Sequence, residues 1–224
     1  MTEKILVKYL KSDPRLEKLL HLVEPHYDEA NLPNHNMNHI AQVLYRALTI
    51  LETDKLVANP SILIAATLLH DIGYTVVRRK KGHEEAGRDI SEKLLNEAGF
   101  DTTEIEKIIR VFTVEAIDGG SIEGDILHDA DVLNMAGYGS MYYFFVSLYE
   151  YRGFPGSTGE LYDLDKHIAS RIKIAEDLEQ KGMRTKTGTE LLKNGFKERK
   201  DFLEKSLAGL KERPDLLLTF EDLL

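Results

Sequence analysis

The 224 residues contain no cysteine, which removes disulfide frameworks, thiolate metal sites and cysteine nucleophiles together. That absence fits a cytoplasmic protein, and the cytoplasm is the expected location. Long apolar runs are missing too. None approaches the roughly 18 residues a membrane span needs, and Met1-Thr2-Glu3-Lys4 opens no signal-peptide pattern, so no membrane association is expected. Positive charge is in deficit: 29 Lys and Arg against 38 Asp and Glu leave a formal charge of -9. Such a chain lacks the basic footprint of general nucleic-acid binding, and no nucleic-acid polymer is expected as a partner. An acidic surface also repels anions at long range, so a phosphate-handling site would need local cations. Proline is scarce, with six residues, and no Gly/Ser linker, low-complexity stretch or fixed-period repeat divides the chain. On oligomeric state the sequence is nearly silent.

What is present is helical periodicity. Over 39–52 the apolar residues Ile40, Val43, Leu44, Ala47 and Leu51 fall on one stripe, with His39 at its edge. Asn59-Pro60-Ser61 is a helix start. The run 62–69 is apolar on nearly every side, which predicts a central helix. Gly73 is expected to end it, leaving His70 and Asp71 in its last turn. Further helices are expected over about 84–98, stopping at Gly99, and after a capping-box pattern of Thr103 with Glu106. Later ones are expected over about 126–136, 140–151, 165–180 and 187–211. Gly119-Gly120 and 153–159 read as turns. The expected fold class is an all-α helical bundle in one domain, 1–224. Its motif core spans about 34–137 and a C-terminal helical extension about 138–224.

Three separated segments offer metal ligands beside buried positions: His39, the His70-Asp71 doublet, and Asp131 before Val132-Leu133. Two imidazoles and two carboxylates suit one divalent ion of Mn, Fe, Ni, Co, Zn or Mg, with positions left for water and substrate. Taken singly, a histidine beside an apolar face is usually a hydrogen-bonded core residue and a carboxylate usually exposed. The doublet argues otherwise, because ending a buried helix with two polar groups is costly unless a shared cation compensates them.

The ordered set His39…His70-Asp71…Asp131, with Leu68-Leu69-His70-Asp71-Ile72-Gly73 around the doublet, resembles the HD superfamily of metal-dependent phosphohydrolases from about Asn34 to Gly137. The segment 182–188 and the charged helix after it resemble one branch of small HD hydrolases. The resemblance implies that Asp131, rather than Asp129, is the final ligand, and that His128 and Asp129 are surface or outer-sphere residues. Dinuclear members carry two more histidines. His83 stands where the first would be, but Phe112-Thr113 occupies the place of the second, so one metal is expected. His83 then lies near the substrate or bound water, or is structural. Where some relatives place a glutamate base this chain has Tyr74, whose ordinary pKa of about 10 makes it a poor base, though it can donate a hydrogen bond to substrate. Glu84 or Asp71 could assist the water instead.

Substrate contacts are expected from His35, whose other reading is a loop or capping histidine. They are also expected from the loop Arg78-Arg79-Lys80-Lys81, which either grasps phosphate or is a solvated tip. The implied activity is hydrolysis of a nucleotide or other small phosphoester by a metal-activated water. The alternatives are an iron-dependent oxygenase of the HD type and a non-enzymatic sensor or interaction module. For the latter the aromatic run Tyr142-Tyr143-Phe144-Phe145, with Tyr149 and Tyr151, is the candidate surface, although such runs are more often core or pocket wall.

Overall fold

A computed structural model describes residues 2–77, 82–135, 146 and 164–212. The loop 78–81, the aromatic run 142–145 with Tyr149 and Tyr151, and the helix and turn expected over 140–151 and 153–159 lie outside the described residues. Among the described residues every regular element is helical, as expected. Two helices precede those read from periodicity: α1 (Thr2–Ser12) and α2 (Pro14–Ala30). Asp13 caps α2 by accepting from the Arg15 amide at 3.2 Å, with Pro14 in the first turn, and Asn31 ends it in the left-handed region.

The next helix, α3 (Met37–Asp54), buries the expected stripe and is capped by Asn36, whose side chain accepts from the amides of Asn38 and His39. α4 (Pro60–Leu69) starts at its Asn59 cap as expected. Each of its residues from Ile62 to Leu69 is no more than 5% exposed, and the helix touches α2 and α3 and, further along the chain, the helices described below. A leucine or isoleucine so buried contributes about 1.5–3 kcal/mol. The buried Thr67 hydroxyl is satisfied by donating to the Leu63 carbonyl at 2.8 Å. α4 therefore fixes the place of whatever follows it.

Gly73 does not end α4. The helix stops at Leu69, and Ile72–Thr75 forms a 3-10 turn after the doublet. Gly73 serves instead as a point of close approach: a Cβ there would lie 1.8 Å from the His83 carbonyl oxygen. α5 (His83–Ala98) begins one residue earlier than expected and stops at Gly99, with φ 102°. α6 (Thr102–Arg110) uses a different capping box from the one expected. Asp101 accepts from the Glu104 amide at 2.9 Å, and Glu104 accepts from the Asp101 amide at 3.0 Å. Thr103 and Glu106 already lie inside the helix, because Phe100 closes the preceding turn and leaves Asp101 as the first residue free to cap.

A π turn (Val111–Glu115) and the single turn α7 (Ala116–Asp118) follow, then the Gly119-Gly120 turn with both φ positive. α8 (Ile122–Val132) starts earlier than expected because Ser121 caps it, its hydroxyl accepting from the Gly124 amide at 3.0 Å. A 3-10 turn, Leu133–Met135, replaces its expected last turn. α9 (Leu164–Lys181) and α10 (Lys186–Glu212) form the C-terminal pair.

The segment between α9 and α10 docks onto the bundle by hydrogen bonds. Asp129, fully buried on α8, accepts from the Arg184 amide (3.0 Å) and from the Thr185 amide and hydroxyl (both 2.7 Å). Thr187 donates its amide and hydroxyl to Asp54 at the end of α3, at 2.9 and 2.6 Å. The Arg184 guanidinium caps the π turn and α7, donating to the carbonyls of Glu115, Ala116 and Ile117.

Candidate metal centre

The first turn of α3, the end of α4 and the last turn of α8 meet at one place. His39 Nε2 lies 3.3 Å from His70 Nε2, 3.0 Å from Asp71 Oδ2 and 3.5 Å from Asp131 Oδ1. Asp71 Oδ2 is also 3.3 Å from His70 Nε2. His39, His70 and Asp131 each present one donor atom within 4.8 Å of the others, a spacing that one ion can bridge. Asp71 reaches both imidazoles from beside them.

Local structure aims these groups. His70 follows the last residue of α4, and its Nδ1–H donates to the Thr67 carbonyl at 2.8 Å, which leaves Nε2 facing the other donors. The Tyr27 hydroxyl donates to the Leu68 carbonyl at 3.3 Å, bracing the same turn from α2. His39 Nδ1 lies 2.7 Å from the Asn134 side-chain amide, and Arg46 donates to the Asn134 side-chain oxygen. His39 Nε2 faces Asp71.

The electrostatics match this picture. Burial opposes charge on both members of the doublet, yet the Asp71 carboxylate holds the His70 imidazole up at about 9. His70, with help from His35 and His39, in turn holds Asp71 well below the usual carboxylate range. Two imidazoles and two carboxylates thus crowd one spot and are held together by shared protons. A divalent cation can take the place of those protons, so the donor set fits a metal.

A cavity of about 380 Å³ opens on this cluster. His70, Asp71, Asp131, His83 and His128 form its polar wall, and Phe112, Ile117, Leu127 and Val132 part of its apolar one. His83 lines this cavity. His35 and Tyr74 do not line it. They are 8% and 7% exposed, and Tyr74 is stacked between His35 (centroids 4.0 Å apart) and His83 (4.1 Å). The Glu84 side chain and the loop Arg78-Arg79-Lys80-Lys81 lie outside the described residues. His128 lines the pocket and donates from Nδ1 to Asp129 at 2.9 Å, while Asp129 is no surface residue but holds the 184–185 backbone. Sequence reading missed Asn134 and the Thr67 carbonyl. The first carries no motif, and the second is main chain.

The family model of the HD domain matches residues 36–136. Over those residues the chain carries an HD domain. The matched span holds all four expected ligands of the HD domain and leaves α1, α2 and the α9–α10 pair outside it. No curated protein matches the sequence. Among solved structures, the chain is similar to a predicted HD superfamily hydrolase from an uncultured Thermotogales bacterium. That crystal structure, at 1.45 Å resolution, shares 21% identity and a TM-score of 0.60 over 91% of this chain and 98% of the other. The likeness extends beyond the HD domain, so the two chains share a fold over most of their lengths.

Proposed function

We propose that this chain is a metal-dependent phosphohydrolase, in which one divalent cation held by His39, His70, Asp71 and Asp131 serves the hydrolysis of a nucleotide or another small phosphoester. The observation that carries this reading is the convergence of those four side chains, three of which, His70, Asp71 and Asp131, line a pocket of about 380 Å³. The description of the similar crystal structure as a hydrolase agrees with it.

A bound divalent cation would supply a water of lowered pKa and polarise a phosphoryl oxygen. The protein does the rest. The Thr67 carbonyl keeps a proton on His70 Nδ1 and so keeps Nε2 free to act as a ligand. The apolar wall limits the water that reaches the reacting centre. His83, stacked on Tyr74 at the pocket edge, is placed to exchange a proton with water or leaving group. Asp71, held ionised by its histidines, can accept one. Tyr74 is shut away from the pocket by the stack, and so is neither a base nor a substrate contact in this scheme. Phe112 lines the apolar wall where a dinuclear site would need a histidine, which supports a single cation.

Metal analysis by mass spectrometry should find about one divalent ion per chain. The loaded protein should release phosphate from at least one member of a panel of nucleotides and phosphoesters. His70→Ala and Asp71→Ala should each lose the metal and reduce release by at least about a hundredfold. Metal-loaded protein that releases nothing across the panel would overturn the reading.

A further inference from the structure

One face of α8 carries more than a metal ligand. In Leu127-His128-Asp129-Ala130-Asp131 the residues His128 and Asp131 stand three apart, so they share a side of the helix. Both line the pocket of about 380 Å³, together with Leu127 and Val132. Asp129 does not line it and is fully buried. Its carboxylate accepts four hydrogen bonds, about the number its lone pairs allow. Oδ2 takes the amide and the hydroxyl of Thr185, both at 2.7 Å. Oδ1 takes the Arg184 amide at 3.0 Å and His128 Nδ1 at 2.9 Å.

Burial opposes the charge on this carboxylate, yet the four donors hold it below the usual range. An ionised carboxylate only accepts, so the His128 proton facing it sits on Nδ1. The free nitrogen of the ring is then Nε2, which makes no hydrogen bond among the described residues. The imidazole is 22% exposed and forms part of the pocket wall. A buried carboxylate behind Nδ1 fixes the ring's orientation and stabilises its doubly protonated form without taking the proton. Metal binding does not need this arrangement. His128 lies outside the group of donor atoms that one ion can bridge.

We propose that His128 is the general acid of this pocket, aimed by Asp129, and that the segment between α9 and α10 locks the pair. This role rests on the phosphohydrolase reading above. As water attacks phosphorus, the P–O bond to the leaving group breaks and its electron pair goes to the leaving oxygen. His128 gives that oxygen its Nε2 proton, so an alcohol departs instead of an alkoxide. The attacking water loses one proton to Asp71 or solvent, and Nε2 regains one from solvent. Ester and water thus yield alcohol and phosphate with the protein unchanged. Asp129 is a positioning residue, and through it Thr185 and Arg184 give the C-terminal helices a part in the chemistry.

Two readouts test the assignment. In EDTA, ring-nitrogen NMR of the full chain should show neutral His128 with its proton on Nδ1. Asp129→Asn should move that proton to Nε2. A wild-type chain with the proton already on Nε2 overturns the proposal. In the metal-loaded protein, His128→Gln should keep about one divalent ion per chain. It should lower kcat/KM for an alkyl phosphoester by about a hundredfold or more. The corresponding nitrophenyl ester, whose leaving group departs without a proton, should lose about threefold or less. Equal losses on the two esters, or loss of the ion, overturn the acid role and leave the phosphohydrolase reading standing. So does a split between the esters that follows His83→Gln instead. A wild-type chain that binds metal and releases nothing from any phosphoester overturns both.

Discussion

A missing methyl group decides how the turn after the doublet meets α5. A Cβ on Gly73 would lie 1.8 Å from the His83 carbonyl oxygen and 2.9 Å from the Gly87 amide nitrogen. Both are backbone atoms, so no side chain can rotate away. The same contact sets His83 at the pocket edge. Gly73→Ala should therefore move the start of α5, cost about 3 kcal/mol and lower metal-dependent phosphate release. Gly99 makes the comparison. It has φ 102° but open space around its Cβ, so Gly99→Ala should cost only about 1 kcal/mol and leave phosphate release unchanged. Urea unfolding of the two variants checks this, and equal losses would contradict it. Reading Gly73 as a helix terminator was reasonable from local pattern alone. Its true partner is ten residues away in sequence, and local pattern does not carry that distance.

Between elements, one arginine joins two helix caps. Arg15 donates to Asp13, which caps α2, and with Nη1 and Nη2 to Glu104 of the α6 capping box, at 2.6 and 3.0 Å. Its guanidinium also lies over the Phe100 ring, 4.4 Å from the centroid. Hydrogen bonds from Arg15 hold both carboxyls below the usual range. A lowered carboxyl pKa gives stability that is present above the ordinary value, near pH 4, and is lost as pH falls through the lowered one. Arg15→Ala should cost about 1–2 kcal/mol at pH 7, a modest figure because the group is one-third exposed. The penalty should shrink by pH 2–3 in urea unfolding. A penalty that stays constant with pH would mean that packing on Phe100, not charge, is what Arg15 supplies. This link explains why helix positions were legible and their ends less so. The stripes of α3 and α4 and the Asn59 cap follow from neighbours in sequence. The α6 cap instead uses an aspartate reinforced from a helix that periodicity had not revealed. The π turn at Val111–Glu115, which carries Phe112 to the pocket wall, has no local signature either.

Across the whole molecule, the order of His39, the doublet and Asp131 was legible because each residue adjoins a strongly apolar run, and three helices can bring such runs together. What holds α9 and α10 to that bundle was not legible. It rests on a buried aspartate in a second His-Asp pair that read as surface or outer-sphere. Burial works against the Asp129 carboxylate, yet His128, Thr185 and the Arg184 and Thr185 amides hold it below the usual range. The fit is tight as well as polar, since a Cβ on Gly188 would come within 2.5 Å of Asp129 Oδ2. Asp129→Asn keeps the shape but sets an amide group against at least one donor it cannot accept. Leaving such a buried group unpaired costs about 1–3 kcal/mol for each donor. Because Asp129 is joined to the 184–185 backbone, the loss should fall on one part of the molecule. In hydrogen exchange, amides of α9, α10 and the Thr185–Gly188 turn should lose protection at least tenfold, while those of α4 should change little. If α4 and α10 lose protection together, Asp129 stabilises the bundle as one cooperative unit instead of fastening its last two helices.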